Sequence, residues 1–137
     1  MPLDPILVAE TREWFRRAAD DLAAGAHDLT GQAELTRDAA FHAQQAAEKA
    51  IKGFLMWHSR PFGKTHNLVE LGNQCVALDV SLEETLRAAA PLTEYAWKFR
   101  YPGEAESPTV EVARAALATA RTVYDTLRAR LPGDVAP

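Results

Sequence analysis

The chain has 137 residues, enough for one domain that buries its own apolar core without disulfide or metal staples. Fifteen Lys and Arg against nineteen Asp and Glu give a formal net charge of -4, which excludes a whole-surface attraction to nucleic acid and leaves room only for a local basic site. No apolar run approaches a membrane-spanning length, Met1 to Pro5 lacks the basic-then-apolar order of a secretion signal, and lone Cys75 has no CxxC neighbour, so a cytoplasmic protein with no disulfide, metal or cofactor is expected.

The elements read as helices from one end to the other. Asp4-Pro5 is a helix start, Asp capping free amides and Pro occupying the first helical position. Leu7, Thr11, Trp14, Ala18, Leu22 and Gly25 then fall along one side, while Arg12, Glu13, Arg16 and Asp20 face elsewhere. Gly25 and the stretch Thr30-Gly31-Gln32 mark the turn into a second helix, expected from Thr36 to His58. A short third helix is expected from about Thr65, with Leu68, Leu71, Gly72 and Cys75 inward.

Ser81 and Glu84 match a capping box at the start of helix 4, and Pro91 predicts a kink or restart before Leu92, Tyr95 and Phe99. Ser107-Pro108 opens helix 5, where Val110, Ala113, Leu117, Ala120, Tyr124, Leu127 and Leu131 alternate steps of three and four. Nothing reads as a strand. The expectation is an all-α, up-and-down bundle of about five helices, four long and one short, over residues 1–131, with 132–137 as a disordered tail.

Projected at the helical repeat, Ala40, Ala43, Ala47, Ala50 and Phe54 form one face of helix 2, and their small side chains permit close packing. Phe41, Gln44, Glu48, Ile51 and Leu55 form the adjacent row. Gln44 and Glu48 there sit among apolar neighbours and require polar partners, in a pocket, at a dimer contact or at an edge that reaches water. Gln45, Lys49, Lys52 and Met56 read as a solvated face. The second apolar row on helix 2 and the seam on helix 5 offer more apolar surface than one monomer is expected to bury, so a homodimer is expected.

The run Phe41-His42-Ala43-Gln44-Gln45-Ala46-Ala47-Glu48-Lys49-Ala50-Ile51-Lys52 resembles the second helix of HEPN proteins. The resemblance continues through Lys64-Thr65-His66-Asn67-Leu68, similar to the family's K-T-H-x-L at the start of helix 3, and through Arg100-Tyr101-Pro102-Gly103 after helix 4. Trp14 and Asp21-Leu22 in helix 1 also agree, so residues 10 to 130 are covered in order.

Many HEPN proteins are metal-independent ribonucleases whose R-x(4 to 6)-H motif lies late in the bundle. The resemblance implies acid–base cleavage, with His moving protons and Arg stabilising phosphate charge. This chain departs from that pattern, since Arg100 is followed by Tyr-Pro-Gly-Glu-Ala-Glu-Ser and the last histidine is His66. Arg60 and His66, flanking the Pro61-Phe62-Gly63 loop, are the outside candidates for a displaced nuclease site; Arg37 and His42 also have the spacing but diverge by about 140 degrees on a helix.

The reading is therefore a noncatalytic dimeric subunit that pairs with a minimal nucleotidyltransferase and holds a nucleotide or RNA phosphate, with Arg100, Tyr101, His66, Gln44 and Glu48 as binding candidates. Arg100 lies among Trp97, Phe99 and Tyr101, where its guanidinium can stack on a ring while binding an anion. A displaced-site ribonuclease toxin and a purely structural dimerisation module are the alternatives.

Overall fold

A computed structural model of the protein describes residues 3–31, 34–99, 101–103 and 106–135. Among them there are five α-helices and no strand: α1 (Pro5–Asp28), α2 (Thr36–Trp57), α3 (Leu68–Leu78), α4 (Glu83–Ala89) and α5 (Val110–Ala129). Asp4 caps α1 through its carboxylate, which accepts from the Ile6 amide at 3.0 Å, with Pro5 in the first turn as expected. Asn67 caps α3 by accepting from the Val69 and Glu70 amides, so that helix begins at Leu68 rather than near Thr65. Thr109 caps α5 through the Val112 amide at 3.1 Å, two residues beyond the expected Ser107.

Three helices are long and two are short, because the fourth is broken. Pro91 has no amide to donate and crowds the preceding turn, so α4 stops at Ala89 and the chain continues as a 3-10 stretch over Ala90–Ala96. The expected Ser81–Glu84 capping box is replaced by Asp79, whose carboxylate accepts from the Ser81 amide and hydroxyl at the start of a 3-10 turn over Val80–Leu82. Arg130 donates to both Asp79 and Ser81 and fastens the end of α5 to this turn. The Ser81 hydrogen bonds, followed by Arg130, hold the Asp79 carboxyl below its ordinary range.

Helix α2 is central, packing on α1, α3, α5 and the Ala90–Ala96 stretch. Gly25 of α1 lies against Ala39 and His42 at the start of α2, whereas Trp14 and Phe15 lie against Gly53 near its end. The two helices are therefore antiparallel. Phe15 meets Tyr124 and Gly25 meets Leu117, so α5 also runs antiparallel to α1. Ala39, Ala40, Ala43, Ala46, Ala47 and Ala50 are all fully buried, and their small size lets neighbouring helices close on α2 from several sides. An ion pair, Lys49–Asp21 at 2.6 Å, and a hydrogen bond between His42 Nδ1 and Asp28 Oδ2 at 2.7 Å tie the α1–α2 seam.

That central position changes three expectations. Gly25 lies inside α1, buried, and is a close-packing point rather than a turn. Lys52 does not face water, because α2 has almost no free side there; it is 7% exposed. Most of the α2 row and the α5 seam offered as surplus apolar surface is used within the chain: Gln44, Glu48, Ile51 and Leu55 are buried, as are Ala113, Ala120, Tyr124, Leu127 and Leu131, whereas Phe41, Val110 and Leu117 are partly exposed. The described part of the expected tail, residues 132–135, also turns back, burying Val135 and placing the Asp134 carbonyl on Arg12.

Cys75 sits in the core on α3, where burial pushes its thiol up to about 12. Native protein at pH 8 should resist iodoacetamide and react fully only when unfolded by guanidinium. Rapid alkylation under native conditions would show that α3 does not hold its inner face closed.

Candidate functional site

The polar residues of α2 do find partners, and the partner lies across the chain. Gln44 is fully buried and Glu48 is 4% exposed. Glu48 Oε1 accepts from Gln44 Nε2 at 3.0 Å and lies 2.6 Å from His66 Nδ1, while its Oε2 accepts from Lys52 Nζ at 3.1 Å. Gln44 also donates to the His66 carbonyl at 3.3 Å and accepts from Gln45 at 2.7 Å. The spacing of four residues places Gln44, Glu48 and Lys52 on successive turns of one side of α2.

The segment between α2 and α3 closes over these groups. Phe62 meets Trp14 edge-on, with centroids 5.6 Å apart, and Lys52 Nζ lies 6.0 Å from the Trp14 ring and 5.7 Å from the Phe62 ring. The ammonium is thus shared between a carboxylate and two aromatic rings. At the far end of the segment the Leu68 amide donates to Thr93 Oγ1 at 3.1 Å, which fixes the backbone beside His66.

The chemistry of His66 follows from Glu48. A carboxylate accepts hydrogen bonds and donates none when ionised, so its contact obliges Nδ1 to carry a proton and leaves Nε2 for an incoming group. The His66 side chain is 59% exposed although its anchor is buried, so the ring joins interior and surface. Neutral Nε2 accepts a hydrogen bond; protonated, it donates one to an anion. A buried ion pair adds little stability over well-packed apolar side chains of the same volume, so its presence in an alanine-lined bundle fits the fixing of His66 in position.

One turn earlier on the α2 row stands Phe41. With Arg37, Asp38, Tyr95 and Phe99 it lines an open cleft of about 380 Å³, in which Tyr95 and Phe99 stack with centroids 5.5 Å apart. Trp97 and Tyr101 beyond it are exposed. Arg100 lies outside the described residues.

The structure therefore brings together Gln44, Glu48 and His66, and adds Lys52, Trp14 and Phe62, which sequence reasoning did not place there. Lys52 was readable as the next turn after Glu48. Arg60, at the other end of the segment from His66, acts electrostatically on His58.

A family model, HEPN domain, matches residues 11–130, and the chain belongs to the HEPN family. No curated protein and no solved structure matches it.

Proposed function

We propose that this HEPN chain is a noncatalytic helical subunit that binds a nucleotide or RNA phosphate at His66 and works as a dimer beside a small nucleotidyltransferase. The observation that carries the binding reading is the anchored ring, with Nδ1 taken by buried Glu48 and an exposed Nε2 that, when the ring is protonated, donates to a phosphate oxygen. The aromatic cleft with Arg37 one turn away supplies a surface for the attached base or ribose. Since α2 and α5 spend most of their apolar rows inside the chain, the surface around exposed Trp97 and Tyr101 is the better place for a partner to dock.

The informative variant is His66→Asn, whose amide can keep the donor to Glu48 while removing Nε2. It should melt close to the parent, yet bind ADP and short single-stranded RNA about tenfold more weakly, a loss of roughly 1.4 kcal/mol. Unchanged affinity in calorimetric titration would remove His66 from the site. Sedimentation of the chain alone, and mixed with any nucleotidyltransferase encoded beside it, tests the assembly.

The same chain should leave single-stranded RNA intact, because no histidine follows Arg100 to complete the R-x(4 to 6)-H pair that moves the proton in ribonuclease relatives. Cleavage abolished by His66→Asn would instead make Glu48–His66 the acid–base pair of a ribonuclease.

A further inference from the structure

Arg37 and Asp38 stand four and three residues before Phe41, so on the first turn of α2 they flank that residue on two sides. Both side chains are exposed and both line the cleft beside Phe41, yet neither makes an ion pair or a side-chain hydrogen bond with a described residue. A guanidinium and a carboxylate are thus presented side by side, unpaired, at a wall formed by the Tyr95–Phe99 stack.

Together these three groups define a ligand more narrowly than any one of them does. The aromatic wall takes a flat ring. An ionised carboxylate accepts and cannot donate, so it selects an edge that offers two adjacent N–H groups. A guanidinium donates and cannot accept, so it selects an edge with two adjacent acceptors. Guanine carries both edges on one ring system: N1–H beside the 2-amino group, and O6 beside N7. Adenine has a donor amino group in place of O6 and an acceptor at N1, so it meets each charged group with the wrong polarity. The one-ring pyrimidines have no N7.

Given the nucleotide reading above, on which this rests, we infer that the cleft selects guanine: the ring on Tyr95 and Phe99, N1–H and the 2-amino group on the Asp38 carboxylate, and O6 and N7 on the Arg37 guanidinium. The place suits a nucleotide whose phosphate is held by His66. Thr93, two residues before Tyr95, accepts at 3.1 Å from the amide of Leu68, two residues after His66, so the cleft and the imidazole are neighbours. Phe41 and Glu48 are separated by two turns of α2, about 10 Å at 1.5 Å per residue, a span that ribose and a diphosphate bridge. The cleft of about 380 Å³ lies in the size range of small-ligand sites and admits a base with its ribose.

Calorimetric titration of the full chain with GDP, IDP and ADP, and with guanosine and adenosine, tests the assignment. GDP should bind at least about tenfold more tightly than ADP, and IDP, which lacks the 2-amino group, should fall between them. Asp38→Asn should erase the difference between GDP and IDP. Arg37→Gln should weaken both by about tenfold, and both variants should melt with the parent, since both side chains are exposed. The nucleosides read the cleft without a phosphate, which separates the two readings. Equal binding of GDP and ADP that is lost in His66→Asn overturns the guanine assignment and keeps the phosphate site; a guanine preference unmoved by His66→Asn keeps the assignment and removes His66. Tighter binding of the ribodinucleotide GpU than of GDP assigns the guanine to RNA, and the reverse assigns it to the free nucleotide. Equal affinity for guanosine and adenosine, no binding of GDP, or an intact preference for GDP over IDP in Asp38→Asn would overturn the inference.

Discussion

Glu48→Ala should destabilise the protein by about 3–5 kcal/mol, because it removes the one carboxylate that Lys52 and His66 share and leaves an ammonium buried without a counter-charge. For a domain of this size that corresponds to a fall of roughly 10–20 °C in melting temperature. Gln44 also loses an acceptor, whereas the exposed His66 ring is free to turn to water. The decisive companion is Glu48→Leu with Lys52→Met. Replacing both buried charges by apolar groups removes the desolvation cost together with the attraction, so the double variant should regain most of the stability lost by Glu48→Ala. It should not regain phosphate binding, since His66 has lost its anchor. A Glu48→Ala protein that melts within a few degrees of the parent would mean that Lys52 reaches solvent and that the cluster is not closed.

That contrast between stability and position also explains which parts of the site were legible beforehand. Gln44 and Glu48 stand out in the sequence because a polar pair inside an apolar row needs partners wherever the helix lies. Their partner was not legible. His66 is 18 residues from Glu48 and reaches it only because the chain between α2 and α3 folds back across α2, with Phe62 pinned on Trp14. Lys52 was read as solvated for a related reason: periodicity reports how one helix divides its faces, not how many neighbours cover it. A helix in the middle of a bundle hides its polar side too, and Lys52 then answers Glu48 one turn away.

The fold was legible where the signal is local. Asp4-Pro5 opens α1 and Leu68, Leu71, Gly72 and Cys75 face the core of α3, because caps and inner faces are written within a few residues. The fourth helix was read as long because the expected kink at Pro91 is in fact a change of helix type. Asp79 displaced Ser81 as the cap because Arg130, 51 residues away, arranges that turn. The HEPN resemblance came through for the opposite reason, since it rests on several spaced motifs in order along most of the chain.

Gly53→Ala should destabilise by about 1–2 kcal/mol, although replacing glycine by alanine inside a helix is ordinarily favourable by about 0.5–1 kcal/mol. A Cβ at Gly53 would stand 2.8 Å from two ring carbons of Phe15 and 2.9 Å from Trp14 Cβ. Neither neighbour yields easily. Phe15 is fully buried against Tyr124, and Trp14 Cβ is fixed to the α1 backbone, so α1 and α2 must separate; overpacking of this kind costs about 1–3 kcal/mol. Gly25→Ala is the control, because its nominal clash is shorter, 2.4 Å, yet falls on Leu117 Cδ2, the far end of a flexible and only partly buried side chain. A new rotamer at Leu117 relieves it, leaving His42 Cβ at 3.3 Å, and the helix gain offsets what remains. Guanidinium unfolding of the two variants side by side should show a clear loss of midpoint for Gly53→Ala and little change for Gly25→Ala. The opposite order would show that α1 and α2 are further apart at Trp14 than at Gly25, and that the Trp14–Phe62 cover over Lys52 does not depend on this close crossing.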